Sequence, residues 1–160
     1  MNIFPEVDAR SLLGEELGLP ADLPARRTVV IAAFLREQQE EVDRWINALE
    51  EAGLPHTTLG LDETAQAAVI EIPVLPSRNR MARRLIDGGM SRKIGVKEVL
   101  ARTWTVYTDV EQFRKTLDIP EPRVEVMVVS RLGEVVDRAH GEPSELSIKR
   151  LVASALETVE

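Results

Sequence analysis

Residues 28–34 read TVVIAAF, and a run this apolar and this rich in β-branched side chains fits few positions in a fold. It is the pattern of a strand covered on both faces, as strands of parallel sheets are. Directly after it the period changes. Val42, Trp45, Ile46 and Leu49 fall at i, i+3, i+4 and i+7, with Glu and Asp on the other side, which predicts an amphipathic helix from Glu37 onward. Gly53 and Pro55 supply the stop.

The same alternation continues. AAVIEIPVLP predicts a second buried strand, with Pro73 near its end where a ladder donor can be spared. RNRMARRLIDGGM predicts a helix over 78–90, with Met81, Ala82, Leu85 and Ile86 on its apolar side and Gly88 and Gly89 as its stop. TWTVYTD is a third strand by composition, and Asp109 caps the helix VEQFRKTL behind it. VEVMVVS and EVVDRAH, joined through RLG, form a hairpin turned at Gly133, since so short a link makes an antiparallel pair. PSELSIKRLVASALETV closes the chain as a helix starting at Pro143 or Ser144, with Leu146, Leu151, Val152, Ala155, Leu156 and Val159 on its apolar side. Residues 1–27, broken by Pro5, Gly14, Gly18, Pro20 and Pro24, read as an irregular lead-in with one helical turn at most. The order β-α-β-α-β-α-β-β-α implies an α/β fold: a central mixed sheet, helices on both faces, and a C-terminal β-hairpin plus helix. With no linker or repeat, 1–160 is expected to be a single domain.

Charge and cysteine content remove whole classes of function. The chain has no cysteine, so disulfides, thiolate catalysis, thiolate metal sites and iron–sulfur clusters are excluded. Its net charge of −7 argues against general attraction to nucleic acid or anionic bilayers. Neither a signal-peptide h-region nor a membrane-length apolar run is present. The expectation is a cytoplasmic protein without cofactor, nucleic-acid partner or membrane insertion. One stretch departs from the acidic background: residues 76–102 hold 8 basic groups against 2 acidic ones.

The order of these motifs, more than any one of them, resembles the thioredoxin-like fold, and its peroxiredoxin-like branch in particular. SLLGEELGLPADLPARRTVVIAAF resembles that branch's lead-in and first strand, TVYTD with VEQFRKTL its inserted strand and helix, and VMVVSRLGEVVDRAHG its closing hairpin. FLREQQEEVDRW, EIPVL, IDGGM and TVYTD together resemble a cysteine-free group near the mitochondrial ATP synthase assembly factors. The resemblance covers roughly residues 10–158 and implies a fold without redox chemistry. In thioredoxin-like redox proteins the cysteines lie between the first strand and first helix, where the helix N-terminus lowers the thiol pKa. The matching positions here are Arg36, Glu37, Gln38 and Gln39. Arg123 stands one place out of register for the arginine that peroxiredoxins set before the hairpin strand, so that role is not transferred.

Two surfaces are therefore the candidate binding residues. Arg36, Glu37, Gln38 and Gln39 are either a hydrogen-bonding cup at a helix start or a solvated helix end that satisfies its own amides. Arg78, Arg80 and Arg83, with Arg84, Arg92, Lys93, Lys97 and Arg102, either meet an anionic partner or pair with the protein's own acids. No aromatic side chain is interleaved among them, which weakens a single-strand nucleic-acid reading. His56 and His140 lack any metal-ligand spacing. Trp45 reads as core, and Trp104 as core or interface anchor. The expected function is a protein-interaction or assembly-type factor with an unidentified protein partner, a homodimer being left open. The alternative is a small-anion-binding protein or non-thiol enzyme using the pocket at the helix start.

Overall fold

The computed structural model describes residues 3–82, 86–90 and 96–158, with the backbone alone at 80–82. Among them, β1 (Val7–Ser11), β2 (Glu16–Leu19), β3 (Arg27–Ala33), β4 (Ala67–Pro76), β5 (Trp104–Thr108), β6 (Glu125–Ser130) and β7 (Val135–His140) make one sheet. Its order is β2-β1-β5-β4-β3-β6-β7. The central strands β3, β4 and β5 run parallel, and the flanking strands join antiparallel. The helices are α1 (Gln39–Glu51), α2 (Lys97–Ala101), α3 (Val110–Thr116) and α4 (Glu145–Leu156). Short 3-10 turns occupy Arg36–Gln38 and Ser77–Ala82, and 86–90 is helical.

Alternation along β3 divides the core in two. Val29 and Ile31 face α1 and α4, packing with Val42, Trp45, Ile46, Leu49, Ile148, Leu151 and Ala155. Val30 and Ala32 face the opposite side, toward Phe113 and Leu117 and the N-terminal Phe4, Leu19 and Leu23. Both faces of β3 are covered, as its continuous apolar run requires. Trp104 is 4% exposed and belongs to this second layer, so it is core. Asp109 accepts from the Gln112 amide at 3.1 Å and caps α3. Gly133 turns the β6–β7 hairpin at φ +92°, where a Cβ would meet Pro20 at 3.2 Å.

Three expectations are corrected. The lead-in is not irregular: β1 and β2 form a hairpin whose first strand pairs with β5, extending the sheet. Its strands are short and bury few large side chains, so backbone pairing, which carries no periodic signature, sets their structure. The apolar side of α4 is made by Ile148, Leu151 and Ala155, while Leu146 and Leu156 are 77% and 51% exposed. A buried stripe is set by what packs on it, and two end leucines broadened the apparent one. Gly88 and Gly89 stand inside the helical turn 86–90 rather than ending a helix, and 77–82 is 3-10. The rest of the helix expected over 78–90, residues 83–85, lies outside the described residues, as does Val159.

Among the described residues, no helix is long and apolar enough to cross a membrane.

Candidate functional site

β3 delivers the chain to the start of α1 through Phe34 and Leu35. Gln38 organises this junction. Its side-chain oxygen accepts from the amides of Phe34 at 2.8 Å and Leu35 at 3.2 Å. Its side-chain nitrogen donates to the carbonyl of Pro122 at 2.6 Å, fastening the turn to the loop before β6. Arg36, Glu37 and Gln39 are exposed around it, beside a Leu35 that is 46% exposed. These four sequence-predicted residues thus share one junction, with Gln38 turned inward as a clamp, Arg36 and Glu37 exposed, and Gln39 exposed but reaching back with its amide.

Gln39 leads to a group that the sequence reading missed. Its side-chain nitrogen donates to Asp43 Oδ1 at 2.9 Å and lies 3.4 Å from Glu71 Oε1. Glu71 is in the middle of β4, opposite Ile31, and only 5% exposed. Burial pushes its carboxyl up to about 7, against the pull of the Arg102 charge and the Gln39 hydrogen bond and with a small push from Asp43. The backbone amide of Glu71 donates to the Arg102 carbonyl at 2.9 Å. The Arg102 guanidinium donates to the His56 carbonyl, and its buried Nε has no partner among the described residues.

Among the described residues two other carboxylates are buried, each with firm partners. Glu125, 1% exposed, accepts from Arg123 at 2.9 Å and from Arg138 at 2.8 and 2.7 Å. Asp87 accepts from Thr105 and Tyr107 hydroxyls, both at 3.0 Å. Arg123, near the position weighed in the peroxiredoxin comparison, is therefore a partner of Glu125. A charged residue inside an apolar strand run, as in AAVIEIPVLP and VEVMVVS, was the available signal for Glu71 and Glu125.

The basic stretch comes out less unified. Arg78 is exposed on the 3-10 turn after β4, Arg80 is described by its backbone in that turn, and Arg83 lies outside the described residues. Arg84, Arg92 and Lys93 also lie outside them. Arg78 and Lys97 are exposed and, among the described residues, make no ion pair. His56 and His140 are exposed, and no group of three His, Asp or Glu among the described residues is placed to hold a metal.

The sequence matches no family model and no curated protein. Solved structures do match over nearly the whole chain. One is a protein from Aquifex aeolicus VF5 described for electron transfer: TM-score 0.65, 14% identity, covering 96% of this chain and 92% of that one. A second is a thiol:disulfide interchange protein of the thioredoxin family from Chlorobium tepidum TLS, with TM-score 0.52, 12% identity and coverage of 98% and 97%. A third is BsSco, of the Sco family of cytochrome c oxidase assembly proteins, with TM-score 0.58, 11% identity and coverage of 97% and 94%. The fold is thioredoxin-like, in a chain without cysteine.

Proposed function

We propose that this cysteine-free thioredoxin-like chain is a non-redox interaction or assembly factor, cytoplasmic and built as one domain, that meets a protein partner through the 3-10 turn leading into α1. The observation that carries this reading is the Gln38 clamp. It ties the turn to the end of β3 and to the Pro122 loop, so a partner meets a surface already ordered and little conformational entropy is lost on binding. Leu35, Arg36, Glu37 and Gln39 are exposed there, an apolar side chain within a polar rim, as in many interfaces. The amides of Phe34 and Leu35 already donate to Gln38 and so are not open to a small anion. That favours a protein partner over the anion-binding alternative. The resemblance to the ATP synthase assembly-factor group supports an assembly role, and so does the likeness to a Sco-family assembly protein.

The double variant R36A/E37A should keep wild-type stability to within about 0.5 kcal/mol per site, as exposed positions do. It should lose tenfold or more in partner affinity, about 1.4 kcal/mol. Gln38→Ala should behave differently, lowering stability by about 1–3 kcal/mol because two amides and a carbonyl lose their partner. Equal recovery of every bound protein by wild type and R36A/E37A, at equal folded concentration, rejects this surface. Neither peroxide consumption nor insulin reduction should exceed a boiled control, because no thiol nucleophile is present. Turnover proportional to protein would overturn the non-redox reading.

A further inference from the structure

The three carboxylates buried among the described residues differ in how they are held, and the difference isolates Glu71. Glu125 has two guanidinium groups and Asp87 two hydroxyls. Glu71 has one contact, at 3.4 Å, to an amide that it shares with Asp43. Charge-assisted hydrogen bonds to carboxylate fall near 2.7–2.9 Å. The Asp43 contact, at 2.9 Å, lies in that range, and the Glu71 contact does not.

The charged groups that act on Glu71 among the described residues are Asp43 from α1 and Arg102 from the segment between α2 and β5. Asp43 repels an ionised Glu71. Arg102 attracts it but makes no ion pair with it, being held by the His56 carbonyl. A buried carboxylate without a close cation or strong donors takes a proton instead.

We propose that Glu71, Gln39 and Asp43 form a proton-operated latch under the first turn of α1, in which the protonation of Glu71 decides whether the Gln39 amide is held by one carboxylate or by two. When Glu71 is protonated, its carbonyl oxygen is a weak acceptor and Gln39 stays with Asp43. When Glu71 loses its proton, the carboxylate draws the second hydrogen of the same amide, and Gln39 is pulled toward β4. Gln39 belongs to the exposed junction described above, so the latch links pH to the shape of that surface. The latch exists or fails in the protein alone, whatever the turn binds.

The test is an NMR titration of the full chain without partner, following the Glu71 carboxyl carbon and the Gln39 side-chain amide. Both should move with one midpoint near 7. Gln39→Ala should shift the Glu71 midpoint upward, because the amide favours the ionised form. Glu71→Gln should abolish the Gln39 transition. Stability gives a second readout. The native carboxyl keeps its proton up to about 7 while the unfolded one releases it near 4.5, so the native state binds more protons between those values. The stabilising contribution is complete below about 4.5, falls as pH rises to about 7 and is lost above it. The difference in urea midpoint between wild type and Glu71→Gln should follow that curve. A Glu71 midpoint below 5, or a Gln39 amide that stays still while Glu71 titrates, overturns the latch.

Discussion

Replacing Trp45 with alanine should lower the unfolding free energy by about 3–5 kcal/mol, the usual range for emptying a large aromatic site. Trp45 is fully buried between α1 and the sheet, in the layer that includes Val29, Ile31, Leu49 and Leu151. Its indole N–H also donates to the Gly141 carbonyl at 3.0 Å, tying α1 to the link between β7 and α4. Alanine removes the apolar area, leaves a void and strips that carbonyl of a donor. The three losses act in one direction, so the upper half of the range is expected. Trp45→Phe keeps most of the volume and should recover most of the stability. Urea unfolding with an unchanged m-value is the measurement, and a loss under 1 kcal/mol would show that the ring does not hold α1 to the sheet.

Comparable in size is Arg138→Ala, expected to cost about 3–5 kcal/mol because it breaks a buried ion pair from one side. Glu125 is nearly inaccessible and receives two contacts from the Arg138 guanidinium. Arg138 also donates to the Leu117 carbonyl at 2.7 Å, joining β7 to the end of α3. With Arg138 gone, Glu125 retains Arg123, whose side chain is 25% exposed and gives a single short contact. The double variant Glu125→Leu with Arg138→Leu should cost less than the two single changes together, since no buried carboxylate is then stranded and the freed Arg123 is a quarter exposed. Additive losses in that cycle would mean the pair contributes nothing as a pair.

The parts of the fold that were legible are those where composition and environment agree. β3 and β4 are continuous apolar runs because both faces are covered, and α1 shows a clean stripe because one face packs on a sheet. The N-terminal hairpin left no such trace. Only Ala9 and Ser11 of β1 are buried, and its order comes from backbone pairing with β5. The functional region divides the same way. Arg36, Glu37, Gln38 and Gln39 were found from their place between strand and helix. That Gln38 turns inward depends on Pro122, 84 residues away, and no local pattern encodes that distance. Glu71 was readable as a carboxylate in an apolar strand. Its weak pairing was not, because it depends on where Arg102 and Asp43 come to lie.

The β1–β2 hairpin has a consequence for solubility. A chain trimmed to begin at β3 would leave β5 as the outermost strand on that side, since β1 is what pairs there. The exposed backbone would then run beside Trp104, Val106 and Tyr107, a ready template for another chain. β2, the strand that actually ends this side, is four residues long, opens on exposed Glu16 and includes Gly18. That is a poor template. The hairpin over residues 7–19 therefore works as an edge guard, exchanging a sticky border for one that discourages aggregation.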